Sequence, residues 1–364
     1  MMSRGGRAVL ALACVGALAA CSVDNNSSGS KSSSASGSGA SGSGASKTVM
    51  LVTHESWAPD KNVMAEFTKQ TGYAVKVVKS GDAGELANKL VLSKNNPLGD
   101  VVFGIDNTFA SRVTTNDVLE PYSPKGAPAS ASKYELPDGQ GKGQLSPIDT
   151  ASVCVNVDDA WFTKNHKTKP ASFDDLVKPE YKNLMVAPGA SSSSPGMAFF
   201  LATVGHYGQD GWEAYWKKLM ANGLKLTSGW SDAYEVDFTG SGKGKRPIVV
   251  SYDSSPAFTV DKAGTSTTSA LLDTCFRSTE YAGVLKGAKN PDGAKALIDF
   301  MNGASFQKSL PDSMYVFPVD SNVELPKAWA ANAKQPTKPI EVSPADIDKN
   351  RSEWLTKWKD VTSK

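Results

Sequence analysis

The chain has 364 residues, 40% of them hydrophobic and 21% charged, with 39 Lys and Arg against 37 Asp and Glu. That length suits two lobes better than one core, and a near-neutral balance without a basic block or stripe excludes nucleic acid as an expected partner. Three His (His54, His166 and His206) and four Cys are scattered without metal-ligand spacing, so no metal site is expected.

The chain begins with a targeting layout. Arg4 and Arg7 precede an apolar run from Ala8, and Leu18-Ala19-Ala20-Cys21 closes it. A basic region, a short apolar region and small residues are the marks of a secretory signal, and the run is too short to span a bilayer. The Leu-Ala-Ala-Cys box resembles the lipobox of bacterial lipoproteins. The resemblance implies cleavage before Cys21 and acylation there by chains such as palmitate. Residues 22–47 are almost all Ser, Gly, Ala and Asn. Such a segment stays a coil, with a root-mean-square span of about 25–30 Å. The expected order is therefore signal at 1–20, lipidated Cys and tether at 21–47, and folded protein from Thr48. Loss of Arg4 and Arg7 brings the net charge near zero. Cys14 leaves with the signal. Cys154 and Cys275 remain, either as a disulfide in an oxidising compartment or as two buried free thiols.

Residues 48–53 (TVMLVT) read as a buried strand, 62–69 (NVMAEFTK) as an amphipathic helix closed by Gly72, and 74–78 (AVKVV) as a strand. Residues 84–93 present Leu86, Leu90 and Val91 on one helical face, and 100–103 (DVVF) read as another short strand. Strands alternating with helices predict an α/β fold with a largely parallel sheet. Asp106 then sits just past a strand's C-terminal end, where open α/β sheets bind ligands. Residues 120–147 read as a long surface loop, and 151–157 (ASVCVNV) as a strand. A short helix and a strand at 184–187 follow. The Ser run at 191–194 with Pro195 predicts a helix start over 191–208, whose free N–H groups form an anion or dipole site. Further helices are expected at 209–221 and 231–238, and strands at 224–227, 247–251 and 280–285. Asn290-Pro291 opens a helix with Ala294, Leu297, Ile298 and Met301 inward, stopped by Gly303. Ser343-Pro344 opens a last helix carrying Ile347, Trp354, Leu355 and Trp358, the Trp pair one turn apart and expected in the core.

No catalytic signature occurs: no G-x-S-x-G elbow, no P-loop and no H-E-x-x-H. The Ser191–Ser194 run has no neighbouring His to serve as its base. No cofactor is expected. An aromatic set does occur on loops: Trp57 in HESWAPD, Trp230 and Tyr234 in SGWSDAY, Tyr252 and Phe258 in SYDSSPAF, and Tyr315 and Phe317 in SMYVFPV. Asp82, Asp106, Asp149, Asp232 and Asp253 are interleaved with it. Rings that stack and acids that neutralise charge suit a flat, cationic ligand.

At these segments the chain resembles the thiamine-binding lipoproteins and periplasmic proteins that serve ABC importers. The likeness runs across 48–364 through GDAGELANKL (81–90), DVVFGIDN (100–107), SSSSPGMAF (191–199), TSGWSDAY (227–234), VVSYDSSPAF (249–258) and YVFPV (315–319). The resemblance implies a two-lobe type II periplasmic binding protein, with mixed sheets flanked by helices and a cleft at the hinge. It implies lobe 1 at 48–150 plus about 272–320, lobe 2 at 151–271, and a C-terminal segment at 321–364 packed on lobe 2. By position, Trp230 and Tyr252 would stack on the ligand. Asp82 with Ala83, Ser193 with Ser194, and Ser254 with Ser255 would supply polar contacts, beside Asp253. Family members carry tyrosine at the positions of His54, Thr150 and Phe258, and tryptophan at that of Tyr315, so this chain departs at four places. Trp57 stands close enough in sequence to compensate. The strands holding Cys154 and Cys275 align with the hinge crossings, where a bridge would stiffen the hinge without closing the cleft.

The implied function is a monomeric, lipid-anchored binder on the extracytoplasmic face of the membrane. It would capture thiamine or a thiamine phosphate by lobe closure and hand it to an ABC permease, with no chemistry performed. A ferric-iron binder of the same fold is the alternative, weakened because Tyr252-Asp253 stands where paired tyrosines would be needed. A secreted thiamine-processing enzyme is the remote one, since Cys154 and Cys275 lie in apolar strands.

Overall fold

The computed structural model of the protein describes residues 47–363, so the expected signal, Cys21 and nearly all of the tether lie outside the described residues. The chain order begins β1 (Thr48–Thr53), α1 (Lys61–Thr71), β2 (Ala74–Lys79), α2 (Ala83–Leu92) and β3 (Val101–Asp106). Val-rich runs form these strands, and β1 pairs parallel to both β2 and β3. Short polar residues fix the helix starts. Asp60 accepts the N–H groups of Asn62 and Val63 at α1, which Gly72 ends at φ 74°. Asp82 caps α2 through the Ala83 N–H.

There follow α3 (Ala110–Thr114), β4 (Leu119–Glu120), β5 (Ser146–Asp158), α4 (Asp159–Lys164), β6 (Met185–Pro188), α5 (Ser194–Ala221) and β7 (Lys225–Thr227). The expected loop at 120–147 carries a 3-10 turn over Ala129–Tyr134. The two helices expected at 191–208 and 209–221 lie end to end in α5, broken at Gly208, where φ 73° and ψ 177° admit glycine best. The helix expected at 231–238 is a π-helical turn, Asp232–Asp237.

The remainder is β8 (Ile248–Tyr252), β9 (Thr268–Leu285), α6 (Pro291–Met301), α7 (Ala304–Met314), β10 (Phe317–Pro318), α8 (Lys327–Asn332) and α9 (Pro344–Thr362). The strand expected at 280–285 is only the end of the 18-residue β9. Its first part escapes a sequence reading because TSALLDTCFRST does not alternate. The strand expected at 151–157 likewise begins earlier, at Ser146.

The strands join in one mixed sheet of order β2-β1-β3-β9-β5-β8-β6-β7, with β4 on β9 and β10 on β5. Long β5 and β9 run antiparallel along the middle. The end of β9 pairs with β3, and the end of β5 pairs with β8. The two strands thus carry the chain from one set of partners to the other. Their register slips between Val153 and Val155, and there Cys154 and Cys275 are joined in a disulfide.

Two main cores flank this sheet. One packs α6 and α7 on β1, β3 and β9 through Val49, Leu51, Phe103, Leu297 and Phe306. The other gathers Phe199, Phe200, Trp212 and Trp216 of α5 with Trp354 and Trp358 of α9. Trp358 meets Trp216 edge-on at 5.5 Å, and Trp354 Nε1 donates to Gln209 Oε1 at 2.8 Å. The C-terminal Trp pair is therefore core. Arg351 of α9 also reaches toward α3, with its guanidinium 4.0 Å from the Phe109 ring centroid.

Candidate functional site

The cavity opens where loops from both parts of the sheet converge. It holds about 330 Å³, within the range of small-molecule sites, about 300–1,000 Å³. Its aromatic wall begins at the turn after β7. Trp230 and Tyr234 lie one helical turn apart, so their rings stack, with centroids at 4.9 Å and planes 13° apart. The Tyr252 ring at the end of β8 stands 6.1 Å from Trp230 and tilted to it. Phe258 and Tyr315 meet edge to face at the mouth, and both remain more than a third exposed.

Hydrogen bonds fix this wall. Trp230 Nε1 donates to Ser251 Oγ at 2.9 Å, and Ser251 shares a hydrogen bond with Ser255 at 2.8 Å. The Tyr252 N–H donates to Ser255 Oγ at 3.2 Å. Ser254 Oγ donates to the Tyr315 carbonyl at 2.7 Å, holding a residue whose φ of 62° ends α7 in the left-handed region.

Asp82 ties three segments together. Its carboxylate accepts the N–H groups of Ala83 at 2.6 Å, Ser194 at 3.3 Å and Trp230 at 3.1 Å. The anion expected at the start of α5 is thus supplied from within the chain. A carboxylate at two helix N-termini is favoured by their dipoles. Ser193 caps α5, and Ser194 Oγ donates to Asp106.

Acids line the floor. Glu280 of β9 stands directly opposite Asp106 of β3 on one side and Asp149 of β5 on the other. Its Oε1 lies 3.3 Å from Nε2 of His54, which follows β1. Asp149 is buried, and no donor among the described residues reaches either of its oxygens. Burial and the neighbouring Glu280 charge push the Asp149 carboxyl well above its ordinary range. Burial lifts Asp106 to about 6 against the hydrogen bonds from Ser194 and Thr108. For His54 burial works downward, but the charge of Glu280, its hydrogen bonding and Asp82 outweigh it and raise the imidazole above its usual value. Burial, Glu280 and three aspartates hold Tyr252 firmly as a neutral phenol. The lining includes His54, Asp82, Glu235 and Glu280 but no Lys or Arg.

Of the residues picked from sequence, His54, Asp82, Ser194, Trp230, Tyr234, Tyr252, Ser255, Phe258 and Tyr315 line the cavity. Ala83, Ser193, Ser254, Asp106 and Asp149 stand behind it as caps, hydrogen-bond partners or neighbours of the lining. Trp57 does not reach it: the ring packs 4.8 Å from Phe103 and 6.1 Å from Phe306. Thr150 is also buried, its hydroxyl donating to the Ser278 carbonyl. Asp253 turns away and accepts the Ser152 N–H at 3.0 Å, and burial raises it to about 7. Asp232 accepts from Ser228 Oγ outside the lining. Sequence reasoning missed Glu280, Glu235, Ser56 and Met314. Glu280 carried a signal only through its strand pairing with two aspartates already singled out, and register across β3, β9 and β5 cannot be read from the chain.

Comparison with known proteins gives the following. The family of bacterial extracellular solute-binding proteins matches residues 96–349. The thiamine-binding periplasmic protein of Brucella suis biovar 1 (strain 1330) is 29% identical over 325 residues, covering 87% of this chain and 92% of that protein. The thiamine-binding periplasmic protein of Escherichia coli (strain K12) is 27% identical over 311 residues, covering 85% and 90%. A solved periplasmic thiamin binding protein superposes with a TM-score of 0.75 at 24% identity, over 87% of this chain and 96% of that one, a likeness of fold.

Proposed function

The chain belongs to the bacterial extracellular solute-binding protein family, and from that premise we propose that it captures thiamine or a thiamine phosphate outside the cytoplasmic membrane for an ABC importer. The single observation that carries the reading is the cavity's composition: stacked Trp230 and Tyr234 beside Tyr252, over a floor of Asp82 and Glu280, with no Lys or Arg in the lining. A flat heteroaromatic cation gains stacking and cation–π attraction from the rings and charge neutralisation from the acids. Relatives named for thiamine binding match most of the chain at 29% and 27% identity, which supports the same ligand.

Capture proceeds by closure of two lobes about β5 and β9, a hinge motion. The ligand leaves unchanged. Both cysteines among the described residues are joined to each other, so neither offers a thiolate nucleophile. Ferric iron is disfavoured because Asp253, not a second tyrosine, follows Tyr252, so the paired tyrosinates of such a site are missing there. Cys21, acylated, holds the protein near its permease through the Ser/Gly tether.

Titration of the purified protein with thiamine, read by tryptophan emission, tests the reading. The expected result is saturable quenching, because the Trp230 indole faces the cavity. Unchanged emission with thiamine and both phosphates, together with no competition against a bound reporter, contradicts it.

A further inference from the structure

Three carboxyls stand in a row across the cavity floor: Asp106, Glu280 and Asp149, on neighbouring strands and directly opposite one another. Like charges so placed repel, and Asp149 is buried without a donor among the described residues. Glu280 is the member that lines the cavity. What faces it is His54 from β1, Asp106 from β3, Asp149 from β5, Tyr252 from β8 and Asp82 from the start of α2. Lys79 at the end of β2 acts on His54 from a distance, and Arg351 of α9 acts on Asp106. Burial, with the charge of Glu280 opposite it in the strand pairing, favours the neutral acid form of Asp149. His54 is the basic group against Glu280, its Nε2 3.3 Å from the carboxylate, and although burial opposes it the charges of Glu280 and Asp82 favour the imidazolium.

We infer that Glu280 is the counter-ion of the ligand's positive ring and that His54 competes for it, so that binding a cation expels one proton from the His54 imidazolium to solvent. The inference rests on the thiamine reading. No bond other than N–H is broken: the imidazolium becomes imidazole, and the ligand's charge replaces the one lost beside Glu280. Affinity for a cation then falls with acidity, as His54 takes up its proton and occupies Glu280.

Calorimetry with thiamine between pH 6 and 8, in buffers of differing ionisation enthalpy, tests this. For the unaltered protein the expected result is a dissociation constant several-fold to about tenfold weaker at pH 6 than at pH 8, with a net proton released in the acidic range. His54→Gln should bind at pH 8 and lose most of that pH dependence, which also separates out any titration of thiamine itself. Glu280→Gln should weaken thiamine tenfold or more at pH 8 while leaving the uncharged pyrimidine fragment unaffected. Near-ultraviolet circular dichroism of each variant shows whether it is folded, and either variant alone suffices for a decision. Saturable thiamine binding without proton release, and with the same pH profile in His54→Gln, overturns the inference and leaves the thiamine reading intact. Unchanged thiamine affinity in folded Glu280→Gln does the same. No saturable heat with thiamine at any pH overturns both.

Discussion

Trp230 joins its ring stack to Tyr234, its indole N–H to Ser251 and its backbone N–H to Asp82, so one residue links wall and floor. Trp230→Ala is expected to weaken ligand binding by about 1–3 kcal/mol, through lost stacking and cation–π contact. Calorimetric dissociation constants for the two proteins check it. Asp253 gives a separate test through stability. Its folded pKa stands near 7 because of burial, above the ordinary aspartate value. A raised carboxyl means that the native state binds the extra proton between those two values, so stability falls as pH rises through that window. Asp253→Asn keeps an oxygen for the Ser152 N–H and carries no charge. The expected result is a gain in melting temperature relative to the native protein that is larger at pH 8 than at pH 5. A gain independent of pH would contradict the assigned cause.

At the scale of elements, the bridge between β5 and β9 closes a loop of 121 residues at the slip in their register. Chain-entropy reasoning gives such a link about 3–5 kcal/mol, by restricting the unfolded chain. Reduction, or Cys154→Ser with Cys275→Ser, is expected to lower the denaturant midpoint without abolishing the fold, since both strands stay hydrogen-bonded along their length. Most short elements were legible in the sequence. β1, β2 and α1 follow from apolar periodicity and from Gly72, and α6 and α9 from Asn290-Pro291 and Ser343-Pro344. What escaped has physical causes. Pro311 inside α7 reads as a breaker, yet it sits in a helix whose Phe306 and Leu310 are held by the core. The first part of β9, TSALLDTCFRST, does not alternate, and β5 opens on Ser146-Pro147, which reads as a turn. The aromatic wall was legible because its rings fall in three short Ser-bearing segments, SGWSDAY, SYDSSPAF and SMYVFPV. The acid floor was not, because Glu280 becomes a neighbour of Asp106 and Asp149 only through pairing across three strands.

For the whole molecule, the parts act in sequence. In the proposed account Cys21 and the Ser/Gly segment hold the folded region to the membrane, while β5 and β9 connect the two sides of the cavity and Asp82 joins the starts of α2 and α5 to the turn at Trp230. Cys21→Ala is expected to move the protein from the membrane fraction to the soluble fraction and to end incorporation of labelled palmitate, with ligand affinity in solution unchanged. Membrane fractionation of both forms checks it. The central claim is that the aromatic and acidic cavity takes up thiamine or one of its phosphates. Its most direct test is titration calorimetry of the purified protein, stripped of retained ligand, with thiamine and its two phosphates. The account predicts saturable one-to-one binding at micromolar concentration or tighter for at least one of them, weakened by Trp230→Ala. No saturable heat with any of the three would contradict it.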